Sequence, residues 1–143
     1  MLSNVEEVSL HQCWALLRSQ EVARLAVVVG DHPDIFPINY TVDQGTVVFR
    51  SAPGTKVFAA LSDTPVALEI DGYDEPTNRA WSVVVKGKAQ HIRSIDDVLD
   101  TFNMELSPWQ EGTKNWFIRI VPTEVTGRRF PKADPKIWHT PQA

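Results

Sequence analysis

Two cations flank a turn between a predicted strand and a predicted short helix. Arg50 and Ser51 end an apolar, β-branched stretch, and Lys56 lies in the first turn of a helix predicted from Gly54 to Leu61. The first amides of a helix lack intrahelical partners and the helix dipole is positive there, so such a turn favours phosphate. The guanidinium, hydroxyl and ammonium add donors and charge. The pattern indicates a phosphate site, although an ordinary strand–turn–helix connection with surface charges would have the same sequence.

Other residues that carry chemistry lack a recognisable arrangement. The four histidines have no spacing typical of paired metal ligands, so we expect no metal site. Cys13 falls on the apolar face of a predicted helix beside Trp14, which indicates a core residue rather than a nucleophile. No serine lies in a Gly-x-Ser-x-Gly elbow. We therefore predict no catalytic side chain from the residues themselves.

The composition is that of a globular protein with a slight acidic excess. Of 143 residues, 43% are hydrophobic and 22% charged, and the formal net charge is −4. A nucleic-acid binder would need a basic face, so that class is not expected. No apolar run approaches the roughly 20 residues that cross a bilayer, so we expect no membrane segment. The single cysteine favours a cytoplasmic protein.

The pattern of apolar residues and turns predicts one domain over residues 1–143, with a core over 22–130 and an irregular tail over 131–143. A capping box at Ser9 and Gln12 starts the first predicted helix, the second follows Gly54, and a third starts near Ser94. About six strands are predicted, over residues 21–29, 35–42, 46–50, 65–71, 80–91 and 115–129, the last bent near Pro122.

Several strands are apolar on successive residues, as in Val27-Val28-Val29 and in the stretch from Trp81 to Val85. A strand that is buried on both faces has this pattern. In a short chain, one face can fill a barrel while helices or a second subunit cover the other. The sequence therefore predicts a mainly β protein with short helices, built as an antiparallel barrel that forms a dimer.

Four segments, in this order, resemble the pyridoxamine 5′-phosphate oxidase-like family of FMN-binding split barrels. They are Pro37 to Tyr40, Phe49 to Lys56, Trp81 to Val83 with Gly87, and Trp116 to Arg129. The resemblance covers Val22 to Phe130. It implies a homodimer of six-stranded antiparallel split β-barrels, with two FMN molecules in clefts between the subunits.

The resemblance also implies which residues contact the flavin. Arg50, Ser51 and Lys56 would hold the phosphate. The segment Pro37, Ile38, Asn39 and Tyr40 would line the isoalloxazine ring, with backbone amides offered to the polar edge of the ring. Trp81 and Ser82 would lie near the ring or the ribityl chain. Trp116 would reach the flavin across the dimer interface, and Arg119 is a weaker candidate for the same cleft.

The function implied is that of an FMN-dependent oxidoreductase, which moves hydride between a small-molecule substrate and a nicotinamide or deazaflavin electron donor. Vitamin B6 oxidation itself is not expected, because the segment Gly127 to Lys132 does not match the arginine and histidine pattern of that enzyme. Three alternatives remain open at this point. They are a reductase that uses a deazaflavin coenzyme, a non-catalytic flavin- or haem-binding protein, and a dimeric module with an empty cleft.

Overall fold

The computed structural model describes residues 5–92 and 116–132, which form a mainly β protein with two short helices. The elements in chain order are β1 Glu6–Glu7, α1 Leu10–Ser19, β2 Val22–Val29, β3 His32–Asp43, β4 Thr46–Ser51, α2 Thr55–Ala60, β5 Val66–Asp74, β6 Arg79–His91 and β7 Trp116–Pro131. The third predicted helix, near Ser94, and the tail beyond Lys132 lie outside the described residues.

Six strands close into an antiparallel ring. Their order is β7-β4-β3-β2-β5-β6, and β6 pairs back onto β7 to complete the barrel, while β1 adds to the outer side of β7. Closure leaves these six strands without a free edge along most of their length. The predicted antiparallel split barrel is confirmed.

Side chains alternate between the barrel interior and its outer surface. On β2, Ala23, Leu25 and Val27 are buried while Val22, Arg24 and Val28 are exposed. β6 and β7 contribute the interior pairs Val83 with Val85 and Ile118 with Ile120, all inaccessible to solvent. Each such side chain contributes roughly 1.5–3 kcal/mol by burial, so the barrel interior is the principal source of stability.

Helix α1 covers one end of the barrel. The hydroxyl oxygen of Ser9 accepts a hydrogen bond from the Gln12 amide at 3.2 Å, as the capping prediction required. Cys13 and Leu17 are fully buried. A Cβ on Gly127 of β7 would lie 2.6 Å from the Cys13 sulfur, so only glycine lets the helix approach the strand this closely. Cys13 is thus a core residue, as predicted, and burial raises the pKa of its thiol.

Neither described helix is long and apolar enough to cross a membrane.

Four strands differ from the sequence predictions by two residues or more. Strand β5 ends at Asp74 rather than at residue 71, because its pairing with β6 continues as far as Arg79. Strand β1 was missed, because two exposed residues carry no periodic signal. Strand β3 begins at His32 rather than at residue 35, because Val29 pairs with His32 and the hairpin needs only two loop residues, with Gly30 at φ 64°. Strand β7 continues to Pro131, which pairs with Arg79, so the predicted tail begins later. The predicted irregularity near Pro122 is confirmed, since the β6–β7 register shifts at Lys86 and Gly87, opposite that proline.

Candidate functional site

The end of β4, the start of β7 and helix α2 meet at one corner of the barrel, here called the α2 corner and defined by Arg50, Ser51, Lys56 and Trp116. Ser51 pairs with Trp116, and Arg50 pairs with Phe117. Helix α2 begins four residues after Ser51 and returns over the barrel, with Val57 buried in the core. Strand pairing therefore brings Arg50 and Ser51 next to the start of β7, and Lys56 lies on the helix that follows.

The two cations of this corner differ in their surroundings. Arg50 is half-buried at the end of β4. The Lys56 ammonium lies 3.9 Å from a carboxylate oxygen of Asp34 and 5.0 Å from the centre of the Phe36 ring. Both members of this ion pair are more than 40% exposed, so solvent screens it and it contributes little to stability. The ammonium can therefore exchange that partner for a ligand anion at small cost.

An aromatic cluster borders the same corner. The Trp116 indole stacks on His91 with ring centres 4.2 Å apart and planes 14° from parallel. Phe58 of α2 meets Trp116 edge-on at 5.6 Å, yet 54% of Phe58 is exposed. Neither His91 nor Phe58 was predicted to belong to the site. No local sequence signal could have found them, because His91 reaches Trp116 through the pairing of β6 with β7 and Phe58 reaches it from α2.

The segment Pro37 to Tyr40 divides between two faces of β3. Ile38 and Tyr40 point into the core, whereas Pro37 and Asn39 are exposed. The Tyr40 hydroxyl donates to the Leu17 carbonyl at 2.6 Å, and its amide donates to the Glu21 carbonyl at 3.0 Å. Burial raises the pKa of Tyr40 to about 12. A ligand on the outer face would therefore meet the side chains of Pro37 and Asn39 but not those of Ile38 and Tyr40.

Trp81 and Ser82 lie away from the α2 corner within one chain. His91 is ten positions after Trp81 in β6, which is roughly 33 Å along a strand at the usual rise per residue. The Trp81 ring packs against the backbone of Gly72, where an added Cβ would lie 2.5 Å from the indole. Ser82, the next residue along, pairs with Asp71 and Arg128. Since consecutive strand residues point to opposite faces, the two side chains cannot contact the same side of a ligand.

Arg119 has partners that the sequence did not reveal. Its guanidinium donates to Asp43 at 2.8 Å and to the Thr46 hydroxyl at 2.7 Å, across the β3–β4 hairpin. The side chains of Arg119 and Asp43 are 19% and 25% exposed. This pair holds the hairpin against β7, and it engages the guanidinium that was the weaker candidate for the cofactor cleft.

A charged cluster lies on the outer face of β2 and β5. The Arg24 guanidinium is 3.2 Å from Asp71 and 3.4 Å from Glu69, and Arg24 also sits opposite Pro37. The pKa of Glu69 is raised to about 7, first by burial and then by the hydrogen bond and charge of the neighbouring Asp71, while Arg24 opposes the shift. Two carboxylates thus share one cation, which favours retention of a proton.

This cluster predicts a pH-dependent stability. Between the ordinary pKa of 4.5 and a folded-state pKa of about 7, the folded protein binds more protons at Glu69 than the unfolded chain does. The contribution of Glu69 to the free energy of unfolding therefore falls as pH rises through that window. We expect Glu69→Gln to become more stable relative to the parent between pH 5 and pH 8, by on the order of 1 kcal/mol after allowance for solvent screening.

Urea unfolding at several pH values measures this difference. Glu124→Gln is the matched control, because Glu124 is an exposed strand glutamate whose cation, Lys86, lies 3.8 Å away. A parent–variant difference at Glu69 that stays constant from pH 5 to pH 8 would contradict the assignment.

Comparison with known proteins places this barrel in a family. The family model described as pyridoxamine 5′-phosphate oxidase matches residues 9–129. The FAD binding protein from Mycobacterium smegmatis is 38% identical, with 88% of this chain and 98% of that chain covered and a TM-score of 0.79. A conserved protein of unknown function from Corynebacterium diphtheriae is 34% identical, with 90% and 99% covered and a TM-score of 0.78.

An uncharacterised protein of Mycobacterium tuberculosis extends the similarity at the level of sequence. It is 30% identical over 131 residues, which cover 88% of this chain and 86% of that protein. The family match includes β2 to β6 in full, β7 except its last two residues, and the whole α2 corner, whereas β1 lies outside it. The chain therefore belongs to the pyridoxamine 5′-phosphate oxidase family.

Proposed function

We propose that this protein binds a flavin and acts as a flavin-dependent oxidoreductase. The observation that carries the proposal is the α2 corner, where strand pairing sets Arg50 and Ser51 beside the start of β7, and where α2, which carries Lys56, contacts Trp116 through Phe58. Family membership supports it, and so does the 38% identical neighbour, which is an FAD binding protein. The chemistry of the donors fits a phosphate: a guanidinium fork, a hydroxyl and an ammonium whose present partner is a weak one.

The residues of the α2 corner are better suited to bind the phosphate of a flavin than its ring. Helix α2 has six residues, so its dipole is small and the two cations provide most of the attraction. The ring would lie along the outer face of β3, where Pro37 offers an apolar surface and Asn39 an amide that both donates and accepts hydrogen bonds.

A flavin site shared between two subunits would also account for Trp81 and Ser82. These residues lie at the opposite end of β6 from His91, so one chain cannot bring them to its own α2 corner. In a homodimer, each cleft can combine the α2 corner of one subunit with residues of the other. Exposed apolar side chains on the outer face of β2 and β3, Val22, Val28 and Ile35, fit such an interface.

A bound flavin would supply the redox chemistry, because its ring accepts and returns a hydride. The protein's own residues would have supporting roles. Arg50 and Lys56 would neutralise phosphate charge and fix the position of the cofactor, and Trp116 with Phe58 would exclude water from one side. Asn39 would orient the polar edge of the ring by hydrogen bonds.

The form of the flavin is a separate part of the proposal. The resemblance in the sequence implies FMN, whereas the neighbour from M. smegmatis binds FAD by its name. Both carry phosphate, and a deazaflavin coenzyme also does, so the α2 corner suits all three. We expect FMN or FAD to bind at least about tenfold more tightly than riboflavin, which lacks the phosphate contacts.

Titration of the purified protein with riboflavin, FMN, FAD and a deazaflavin coenzyme, followed by absorbance and thermal unfolding, tests the binding. A ligand at 100 times its Kd should add about 2.7 kcal/mol of stability. Anaerobic stopped-flow mixing of the flavin-loaded protein with NADH or NADPH then tests turnover. Absence of any flavin binding would refute the proposal, and a bound flavin that no donor reduces would favour a storage or sensing role.

A further inference from the structure

A pocket of about 220 Å³ opens at the end of the barrel that α1 covers, far from the α2 corner along β6. Leu16 of α1 and Trp81 form its apolar wall, and Arg79 and Arg129 enter it from β6 and β7. Trp81 is held in place there, because its ring packs directly on the Gly72 backbone. The walls therefore come from α1 and from three strands of the barrel, β5, β6 and β7.

The charged side chains in this pocket differ in their hydrogen-bond and ion-pair partners. Arg79 forms an ion pair with Glu6 at 3.3 Å, and the carboxylate of Asp74 accepts a hydrogen bond from the Thr77 hydroxyl at 2.9 Å. Arg129 is half-buried, and its guanidinium donates to the neutral side-chain oxygen of Gln12 at 3.5 Å. Among residues 5–92 and 116–132, no carboxylate forms an ion pair with Arg129. A guanidinium has five N–H donors, so most of the hydrogen-bonding capacity of Arg129 is available to a ligand.

The volume limits what the pocket can hold. Sites for drug-sized ligands run from about 300 to 1,000 Å³, so a complete flavin does not fit here. A single aromatic ring with one acidic group does fit. A carboxylate matches the guanidinium fork in a bidentate pair, and the indole offers an aromatic surface to the ring.

We propose that this pocket binds a small aromatic or heteroaromatic carboxylate, with Arg129 pairing with the carboxylate and Trp81 packing against the ring. The site is separate from the α2 corner within the chain. In the proposed homodimer Trp81 would also border the partner's flavin cleft, so the test uses flavin-free protein, where its outcome does not depend on the proposed oxidoreductase activity.

Benzoate is a suitable probe, with neutral benzamide as its isostere. In a ¹H–¹⁵N spectrum of the full chain, we expect benzoate to shift the Trp81 indole resonance saturably, and Trp81→Phe identifies that resonance. Benzamide should bind at least about tenfold more weakly, and Arg129→Ala should weaken benzoate by roughly 10- to 100-fold. Arg129→Lys keeps the charge but not the fork, so an intermediate loss is expected.

Arg128→Ala is the matched control, because Arg128 is the preceding residue of β7, carries the same charge and is exposed. Its affinity for benzoate should equal that of the parent. The proposal is overturned if benzoate causes no saturable shift, if benzamide binds equally well, or if Arg128→Ala loses as much affinity as Arg129→Ala. Should Arg129→Ala lower the melting temperature sharply, Arg129→Lys and the benzamide comparison still decide the question.

Discussion

Gly87→Ala is expected to lower the free energy of unfolding by about 2–3 kcal/mol, the upper part of the usual range for an overpacked site. Gly87 lies where the β6–β7 register shifts, opposite Pro122. A Cβ at this position would overlap the carbonyl oxygen of Val121, which is backbone and cannot rotate away. Alanine restricts the unfolded chain and so favours folding, but by less than 1 kcal/mol. The steric clash is therefore the larger effect.

Urea unfolding monitored by circular dichroism measures this loss. Gly54→Ala provides the comparison, because a Cβ there meets nothing within 4 Å and φ is 177°, an extended conformation open to any residue. We expect its change to stay within about 1 kcal/mol, the range of an N-cap exchange. Equal stabilities of the Gly87→Ala variant and the parent would show that β6 and β7 do not approach each other as described.

Lys56→Ala is expected to weaken FMN or FAD binding by about 1–3 kcal/mol, which corresponds to roughly 5- to 150-fold in Kd. The ammonium would lose its contact with the phosphate, and its half-exposed ion pair with Asp34 would go with it. That ion pair contributes little, so we expect the free energy of unfolding without ligand to change by no more than about 0.5 kcal/mol. Affinity and stability should therefore respond separately.

Fluorescence titration with FMN and FAD gives the affinities. Lys88→Ala removes an exposed lysine of β6 and controls for the change in net charge. Riboflavin should bind the parent and the Lys56→Ala variant alike, since it has no phosphate to lose. An unchanged Kd for both phosphorylated flavins in Lys56→Ala would move the phosphate site away from the α2 corner.

Much of the barrel could be predicted because its strands carry strong local signals. The consecutive valines of β2, the hairpin residues Asp43 to Gly45 and the apolar face of α1 each follow from side-chain periodicity or turn chemistry. The short strand β1 could not be predicted, since Glu6 and Glu7 are polar and exposed, and their pairing with β7 depends on residues far away in the sequence. The early start of β3 depended likewise on the pairing of Pro33 with Val28.

The candidate site was predictable in part, for a similar reason. Arg50, Ser51 and Lys56 are close in sequence, so one strand–turn–helix segment indicated all three. Tyr40 and Ile38 were expected to line the ring through backbone amides, which stays a prediction; alternation along β3 turns their side chains into the core. His91 and Phe58 reach Trp116 from distant elements, and no spacing in the sequence reveals that contact.

The amino-acid sequence alone determined the strand and helix types, the cationic turn and the resemblance to a family, because these depend on neighbouring residues. The tertiary structure decided which side chains from distant segments lie next to each other on the barrel. Closure of β6 onto β7 placed Trp81 beside Arg129 at one end of the barrel and Trp116 beside His91 at the other. The register between distant strands is set by the burial of many side chains at once, so no single segment encodes it.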